Sequence, residues 1–228
     1  MLLSEHATFN VDRKAGLLQV TDVPERLDRV SVYLDAVQDR VHRQVQIDAR
    51  VIEVELSDET ATGVDWSKIA TALVGDQTPA QRAVVRSAPA GLRVTDVAKL
   101  MTALGEQGKI AIVATPRLLT LNNEPAIVRT DALTISVTAQ IAADGIVTLS
   151  LSPIVKAPSV AESDMIARVA DGETLLMSGF TREREVKERR SVGISGGWFG
   201  RSTVITKKRL ELMLLLTPKI VAAVATQQ

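Results

Sequence analysis

The sequence contains no cysteine, only two histidines and no excess of either charge. Without cysteine the chain can form no disulfide, no thiolate nucleophile and no cysteine-ligated metal site. His6 and His42 have no partners at the spacing of a metal site or a catalytic triad, so we expect no enzyme activity, no metal and no cofactor. The 27 basic and 27 acidic side chains cancel. The basic surface typical of nucleic-acid-binding proteins is therefore lacking, and no nucleic-acid partner is predicted.

Long apolar runs and aromatic residues are also scarce. No run reaches the ~20 residues that a membrane-spanning helix needs, so no helical span is predicted. The N-terminus lacks the basic stretch and apolar core of a signal peptide, as expected of a cytoplasmic protein or of a piece of a longer precursor. The chain does have 228 residues, of which 46% are hydrophobic and 24% charged. This composition excludes wholesale disorder and suits one large domain or two small ones.

The first 43 residues predict a small α/β piece. Two short strands, Thr8–Asp12 and Leu17–Val20, precede a helix that begins near Pro24 and has Thr21 or Asp22 as its cap. Apolar residues recur along this helix every three or four positions, which indicates one apolar stripe of about five turns. They are Leu27, Val30, Leu34, Val37 and Val41.

From Gln44 the apolar period changes from 3.6 to 2, which indicates a β-strand to Leu56. The alternation slips by one at Ile52, and this predicts either a β-bulge or a long strand that passes between two surroundings. Residues 71–90 are weakly patterned and predict a loop. A second helix follows, with Thr95 as its cap and Gly105 and Gly108 at its end.

Most of the remaining chain predicts strands. Asp144-Gly145 is a strong hairpin signal between two segments, 132–143 and 145–155, that carry no charge. Their length suits strands that span a membrane, of about 9–11 residues, but equally the core hairpin of a soluble sandwich. A second hairpin is predicted across Asp171-Gly172, and the last strand runs from about Val204 to Val221.

Two segments near the end of the chain are candidate sites. One is a glycine-rich tip with apolar side chains that either contact a membrane surface or anchor a loop in the core: Val192, Ile194, Trp198 and Phe199. The other is a dense run of both charges, which is either a solvated face or a set of ion pairs across strands or between subunits. Its residues are Arg182, Glu183, Arg184, Glu185, Lys207, Lys208, Arg209 and Glu211.

Four segments, in this order along the chain, resemble the motifs of the bacterial secretins, the outer-membrane channels of type II and type III secretion and of type IV pilus systems. They are 45–54 with Gly63-Val64-Asp65-Trp66, then 115–126 with its Asn122-Asn123 pair, then Asp171-Gly172-Glu173-Thr174 with Ser178-Gly179-Phe180, and finally 208–221 with Thr217-Pro218. The resemblance covers about 44–221 and is to the C-terminal secretin domain.

The resemblance implies a mainly β fold with a small α/β N-terminal piece, in which each subunit contributes a few strands to a double-walled β-barrel shared by a high-copy ring. Residues 1–43 would be the end of a periplasmic ring-building module, and 44–224 the barrel domain. It implies a channel in the bacterial outer membrane, with a periplasmic portion, that passes folded proteins, a pilus or a filament. The implied partners are further copies of the chain, outer-membrane lipid, a pilotin lipoprotein, the inner-membrane machinery and protein cargo.

The resemblance also assigns the candidate residues. The apolar tip would be the membrane lip, the charged run would lie between subunits, and an inner-wall group would form the base of a gate: Asn122, Asn123, Pro125, Arg129 and Asp131. The sequence departs from the family here, since Val128–Asp131 passes directly to Ala132 and leaves little or no room for a gate hairpin. The lip is also shorter than usual. A soluble periplasmic β-rich scaffold or binding domain that does not insert in a membrane is the alternative.

Overall fold

The computed structural model describes residues 2–56, 63–74, 90–131, 133–155, 161–162, 164–194 and 198–221, with the backbone alone for 74, 90, 161–162, 185–194 and 198–207. The elements are β1 Thr8–Asp12, β2 Leu17–Thr21, α1 Pro24–Val41, β3 Gln44–Leu56, α2 Trp66–Val74, β4 Ala90–Val94, α3 Val97–Gly105, β5 Gly108–Ala114, β6 Arg117–Leu121, β7 Pro125–Arg129, β8 Leu133–Ile141, β9 Ile146–Val155, β10 Ala161–Glu162, β11 Met165–Ala170, β12 Thr174–Ile194 and β13 Trp198–Val221. The prediction of a mainly β fold with a small α/β N-terminal piece is confirmed.

Residues 2–43 form one compact unit, a β1–β2 hairpin followed by α1. None of the residues of α1 is buried within this structure, and Phe9 and Tyr33 are 66% and 54% exposed. The predicted helix cap is wrong: the N-cap is Val23, with no side-chain cap. Asp22 is engaged elsewhere, because its carboxylate accepts hydrogen bonds from the backbone N–H and the hydroxyl of Ser4 at 2.8 and 2.6 Å. That this unit ends a ring-building module stays a prediction.

Residues 44–221 form the second unit, which contains two antiparallel sheets. The five-stranded sheet has the order β10–β9–β8–β7, with β11 also paired to β9. The six-stranded sheet has the order β4–β12–β13–β3–β5, with β6 also paired to β3. The β8–β9 hairpin across Asp144-Gly145 is confirmed, and Gly145 adopts φ +78, which suits a glycine in a tight turn. The assignment of 44–224 as a barrel domain stays a prediction.

The apolar faces of the two sheets pack against each other and form the sandwich core. A second core lies on the opposite face of the six-stranded sheet, beneath α2 and α3. Each fully buried leucine or isoleucine contributes roughly 1.5–3 kcal/mol to folding. The buried isoleucines and leucines of the sandwich core are Ile47, Leu118, Leu133, Ile135, Leu149, Leu151, Leu175, Leu212, Leu214 and Leu216.

The slip of alternation in β3 follows from these two cores. Odd-numbered residues from Val45 to Val51 lie in the sandwich core, whereas Ile52 and Val54 point to the other face and pack under the helices. β3 therefore passes between two surroundings, one of the two predicted explanations. The register irregularity falls in its pairing with β5, where Val51 faces Ala114 and Ile52 faces Ile112. The extra residue belongs to β5.

The predicted hairpin across Asp171-Gly172 is wrong. Both strands exist, but β11 pairs with β9 in one sheet and β12 with β4 and β13 in the other. The N–H of Gly172, at φ +78, donates to Pro218 O at 2.8 Å. The turn is thus bound to β13 and carries the chain from the five-stranded sheet to the six-stranded sheet.

Two further predictions about helices are wrong. The loop predicted over 71–90 begins as helix α2, whose Ile69 and Ala70 are buried in the second core; residues 75–89 lie outside the described residues. The apolar residues Trp66, Ile69, Ala70 and Leu73 do recur at helical spacing, so the sequence carries a signal for α2. The cap of α3 is Asp96, not Thr95, because the Asp96 carboxylate accepts from the N–H of Lys99 at 3.0 Å.

Candidate functional site

Beyond the sandwich, β12 and β13 continue as a two-stranded ribbon of residues 183–194 and 198–209. The register runs from Glu183 opposite Arg209 to Ile194 opposite Trp198. The pairing of β12 with β4 ends at Met177, and that of β13 with β3 ends at Leu210. With about 12 residues in each strand, the ribbon extends roughly 40 Å.

The predicted lip residues lie at the end of this ribbon. The backbone places Val192 opposite Gly200, Gly193 opposite Phe199 and Ile194 opposite Trp198. Their side chains, and residues 195–197, lie outside the described part of the structure. The lip assignment therefore stays a prediction.

A cluster of charges lies at the base of the ribbon, on the sandwich-facing side of the six-stranded sheet. Glu53 of β3 accepts hydrogen bonds from Arg182 at 3.3 Å and from Arg184 at 2.5 Å. The side chain of Glu53 is only 5% exposed, whereas the two arginine side chains are 33% and 50% exposed. Next along β3, Glu55 accepts from Lys208 at 2.5 Å. We call these five residues the base cluster.

The base cluster marks the end of the sandwich core along β3. Glu53 and Glu55 continue the odd-numbered side of β3 that carries Val51 in the sandwich core. Charged residues replace apolar ones on this side of the sheet where the ribbon begins. The free-energy cost of burying the Glu53 carboxylate is offset by its two guanidinium partners.

The other members of the predicted charged run are placed separately. Glu183 and Arg209 are exposed and lie opposite each other, on the face of the sheet away from the base cluster. Glu185 lies opposite Lys207, but their side chains are outside the described residues. The partners of the run within the chain include residues of β3, and its role between subunits stays a prediction.

Glu211 differs from the rest of the run because it is buried, with 4% exposure. Its Oε2 accepts the backbone N–H of Val64 at 3.0 Å. Burial raises the pKa of this carboxyl above its ordinary value, and hydrogen bonds from the backbone N–H groups of Val64 and Gly179 oppose the rise. Gly179 lies in the β12 bulge between Met177 and Phe180. One carboxyl group thus connects β13, the β12 bulge and the start of the helical layer.

Of the predicted inner-wall group, Asn122, Asn123 and Pro125 lie in the crossing between the two sheets. The side chain of Asn122 accepts the N–H of Ile141 at 2.8 Å, and the N–H of Asn123 donates to Ala139 O at 2.8 Å. Asn123 adopts φ +65, a conformation that asparagine tolerates better than most residues. These contacts bind the turn between β6 and β7 to the end of β8, with Pro125 starting β7.

The connection from β7 to β8 is tight. Thr130 closes it, because its N–H and hydroxyl donate to Leu133 O at 2.8 and 3.0 Å. Arg129 and Asp131 flank Thr130 and are exposed; Ala132 lies outside the described residues. β7 pairs directly with β8, and the structure gives no role to Arg129 or Asp131 beyond this placement.

Sequence reasoning missed Glu53, Glu55 and the Gln107–Asp65 pair. Gln107 is 4% exposed, accepts the N–H of Asp65 at 2.6 Å and donates to Asp65 O at 3.1 Å, so it links the start of α2 to the end of α3. Glu53 follows the slip of alternation at Ile52, where the sequence pattern puts it on the polar side of β3, so no signal marked its burial. No local pattern marks Gln107.

Among the described residues no group of His, Asp and Glu could hold a metal ion. No helix in the described ranges has the length and apolar character required to cross a membrane.

No protein-family model matches the chain. It is 24% identical over 287 residues to competence protein E of Haemophilus influenzae, a match that covers 97% of this chain and 64% of that protein. The chain thus spans less than two thirds of this relative's length.

Solved structures of secretins also match. The type II secretin XcpQ of Pseudomonas aeruginosa is 16% identical, with 97% of this chain and 69% of that one covered and a TM-score of 0.48. GspD in the ETEC pilotin–secretin complex is 14% identical, with 96% and 57% covered and a TM-score of 0.47. The competence pilus secretin PilQ of V. cholerae is 19% identical, with 96% and 70% covered and a TM-score of 0.44. The secretin resemblance indicated by the motifs is confirmed.

Proposed function

We propose that this chain, which resembles the secretins in its motifs, is one subunit of a homo-oligomeric channel that passes folded proteins, a pilus or a filament across the bacterial outer membrane. The channel performs no chemistry, and its activity is the enclosure of a wide aqueous passage by strands from many copies. The observation that carries this proposal is the ribbon, in which segments 183–194 and 198–209 pair with each other and with no other strand among the described residues.

An isolated two-stranded ribbon is marginally stable in water, and its free N–H and C=O groups are ready to pair with another chain. Closure of ribbons from successive copies into one wall satisfies both edges at once. A closed ring is therefore the arrangement in which a ribbon of this length is stable.

The five-stranded sheet supports the same arrangement. Along most of β9 the sheet has four antiparallel strands, β7, β8, β9 and β11, and an even number lets the next copy continue the alternation of direction. The edge strands carry exposed isoleucines on one face, Ile127 at 59% and Ile166 at 74%. Where the edges of two copies meet, these side chains can cover each other.

The remaining parts of the proposal concern the membrane and the partner proteins of the channel. The tip of the ribbon is the membrane lip, with Val192, Ile194, Trp198 and Phe199 in contact with outer-membrane lipid, and the rest of the chain extends into the periplasm. A pilotin lipoprotein and inner-membrane machinery are the proposed further partners, a view supported by the pilotin–secretin complex among the matching structures.

Electron microscopy of the detergent-extracted chain tests the proposal, and we expect closed rings. Ile127→Lys with Ile166→Lys places cations at both sheet edges and should lower the ring yield. Ala98→Lys with Thr102→Lys, on the exposed side of α3, is the matched control and should not. A stable monomer at micromolar concentration contradicts the proposal and favours a soluble periplasmic scaffold.

A further inference from the structure

The five-stranded sheet has one face in the sandwich core and a second face made largely of hydroxyl and amide side chains. Alternation along β8 and β9 places these residues on the face away from the core, where they are half-buried or exposed. They are Thr134, Ser136, Thr138, Gln140, Thr148, Ser150 and Ser152. We call this surface the hydroxyl face.

The paired residues in the middle of the hydroxyl face carry no charge. One row of paired residues joins Ile127, Ser136 and Ser152. The next row joins Pro125, Thr138, Ser150 and Ile166. These rows contain no titratable side chain, although charged residues make up 24% of the chain.

Charged residues lie in the rows on either side and at the exposed Asp164, which directly precedes β11, and both signs occur among them. At one end Arg168 pairs with Asp144 at 3.3 Å. At the other end Arg129 is followed by the exposed Asp131. The two charged rows pass through Thr134 and Gln140, about 20 Å apart along β8 at ~3.3 Å per residue. Opposite charges close together produce little field beyond ~8 Å at physiological ionic strength.

We propose that the hydroxyl face lines the passage and makes it indifferent to the sign of charge, so that cargo is selected by size and can be acidic or basic. This inference rests on the proposed function. Hydroxyl groups exchange hydrogen bonds with water and with any polar surface, and they neither repel nor retain a charged polymer. A wall whose charges all had one sign would instead repel cargo of the same sign and bind cargo of the opposite sign.

Recordings of purified rings in planar bilayers under a KCl gradient test the inference. The wild-type reversal potential should lie near zero, with a K⁺ to Cl⁻ permeability ratio within about two-fold of one. Ser136→Asp with Ser150→Asp adds two acidic residues per subunit to the hydroxyl face and should produce a clear cation preference. Ala98→Asp with Thr102→Asp, which adds the same charge on α3, should leave the ratio unchanged.

The absence of cysteine permits a second readout on the same rings. In Ser150→Cys the new thiol is unique, so cationic and anionic methanethiosulfonates can be compared at one position. We expect the ratio of their rates to equal the ratio for a free thiol in solution.

Each outcome has one meaning. Conducting rings that select strongly for one ion, or an unchanged ratio in Ser136→Asp with Ser150→Asp, overturn this inference and leave the channel in place. Verified rings without conductance contradict the proposed channel, and the inference with it.

Discussion

The backbone N–H of Val64 donates to Glu211 at 3.0 Å, so a buried carboxyl group on β13 binds the backbone two residues before α2. The same group accepts from the N–H of Gly179 in the β12 bulge. Two irregular pieces of backbone, which have no ladder partners of their own at these points, are thereby satisfied by one side chain.

The first prediction is a pH dependence that originates at Glu211. Its pKa is raised in the folded state, so the folded chain retains a proton that the unfolded chain has lost. The stability from this group is fully present below the unfolded pKa of about 4.3 and is lost as pH rises through the folded pKa. The free energy of unfolding of wild type minus that of Glu211→Gln should therefore increase as pH falls from about 8 to about 4 in urea titrations.

Glu183→Gln is the control for this pH series, because Glu183 is exposed. Its difference from wild type should stay nearly flat. If the difference for Glu211→Gln were also independent of pH, burial would not be what sets the protonation of Glu211.

A second prediction concerns Glu53. Removal of its carboxylate in Glu53→Ala leaves Arg182 and Arg184 without their acceptor, and we expect a loss of about 1–2 kcal/mol, limited by the partial exposure of both arginines. Asp48 also accepts from two cations, Arg117 and Lys219, but is 26% exposed. Asp48→Ala should therefore cost less in chemical denaturation, and equal costs would mean that burial does not strengthen the pairs.

A third prediction concerns Gly108, where β5 approaches β3 closely. A Cβ at this position would lie 2.3 Å from the carbonyl oxygen of Glu55, which is backbone and cannot move aside. Gly108→Ala should lower stability by roughly 1–3 kcal/mol. At Gly105 the nearest atom is Ile110 Cδ1 at 3.7 Å, so Gly105→Ala should be close to neutral in the same thermal unfolding measurement.

The fourth prediction tests the asparagine turn. Asn122→Ala removes the acceptor for the N–H of Ile141, at a cost of roughly 1 kcal/mol. Asn122→Asp keeps an acceptor oxygen and should retain most of the stability. Amide hydrogen exchange gives the local measurement: the Ile141 amide should exchange faster in the alanine variant, and unchanged protection would contradict the contact.

The fifth prediction concerns the lip. Two aromatic side chains of about 150–250 Å² each, at about 25 cal/mol per Å², can contribute up to several kcal/mol of membrane affinity per subunit. Trp198→Ser with Phe199→Ser should leave rings assembled but no longer floating with lipid vesicles. Phe9→Ser with Tyr33→Ser changes two exposed aromatics of the N-terminal unit and should leave flotation intact.

The outcomes of the flotation assay separate three roles. If the Trp198→Ser, Phe199→Ser chain still floats, the charge-free segments 132–143 and 145–155 become the better candidate anchor. If it no longer forms rings, the two aromatic residues have a structural role in the fold or the assembly.

The local sequence pattern was sufficient to predict a strand and its partner where each face of the strand has a single environment along its length. β8 and β9 alternate without interruption, and their turn at Asp144-Gly145 has the chemistry of a hairpin, so this part of the fold follows from the sequence. Asp171-Gly172 has the same chemistry, yet the strands on either side enter different sheets. A turn determines the local change of direction, whereas the partner of the next strand depends on distant residues.

The base cluster was unpredictable for the same reason. The charged run was visible in the sequence, but the acceptor of Arg182 is Glu53, 129 residues away. After the slip at Ile52 the pattern of β3 puts Glu53 on the polar side, and only the fold shows that it is 4% exposed. The end of α2 was also missed: its apolar residues recur at helical spacing, but Gly75, Pro79 and Pro89 favoured a loop over 71–90.

The continuity of β13 has a mechanical consequence. A single strand, Trp198–Val221, runs from the tip of the ribbon to the far edge of the sandwich, paired with β12 on one side and, from Leu210 onward, with β3 on the other. A pull on the tip along the strand loads the rungs of both ladders together, in shear, rather than opening them one after another. Such a load is therefore shared between the two ladders of β13, and the ribbon can bear it without unravelling the fold.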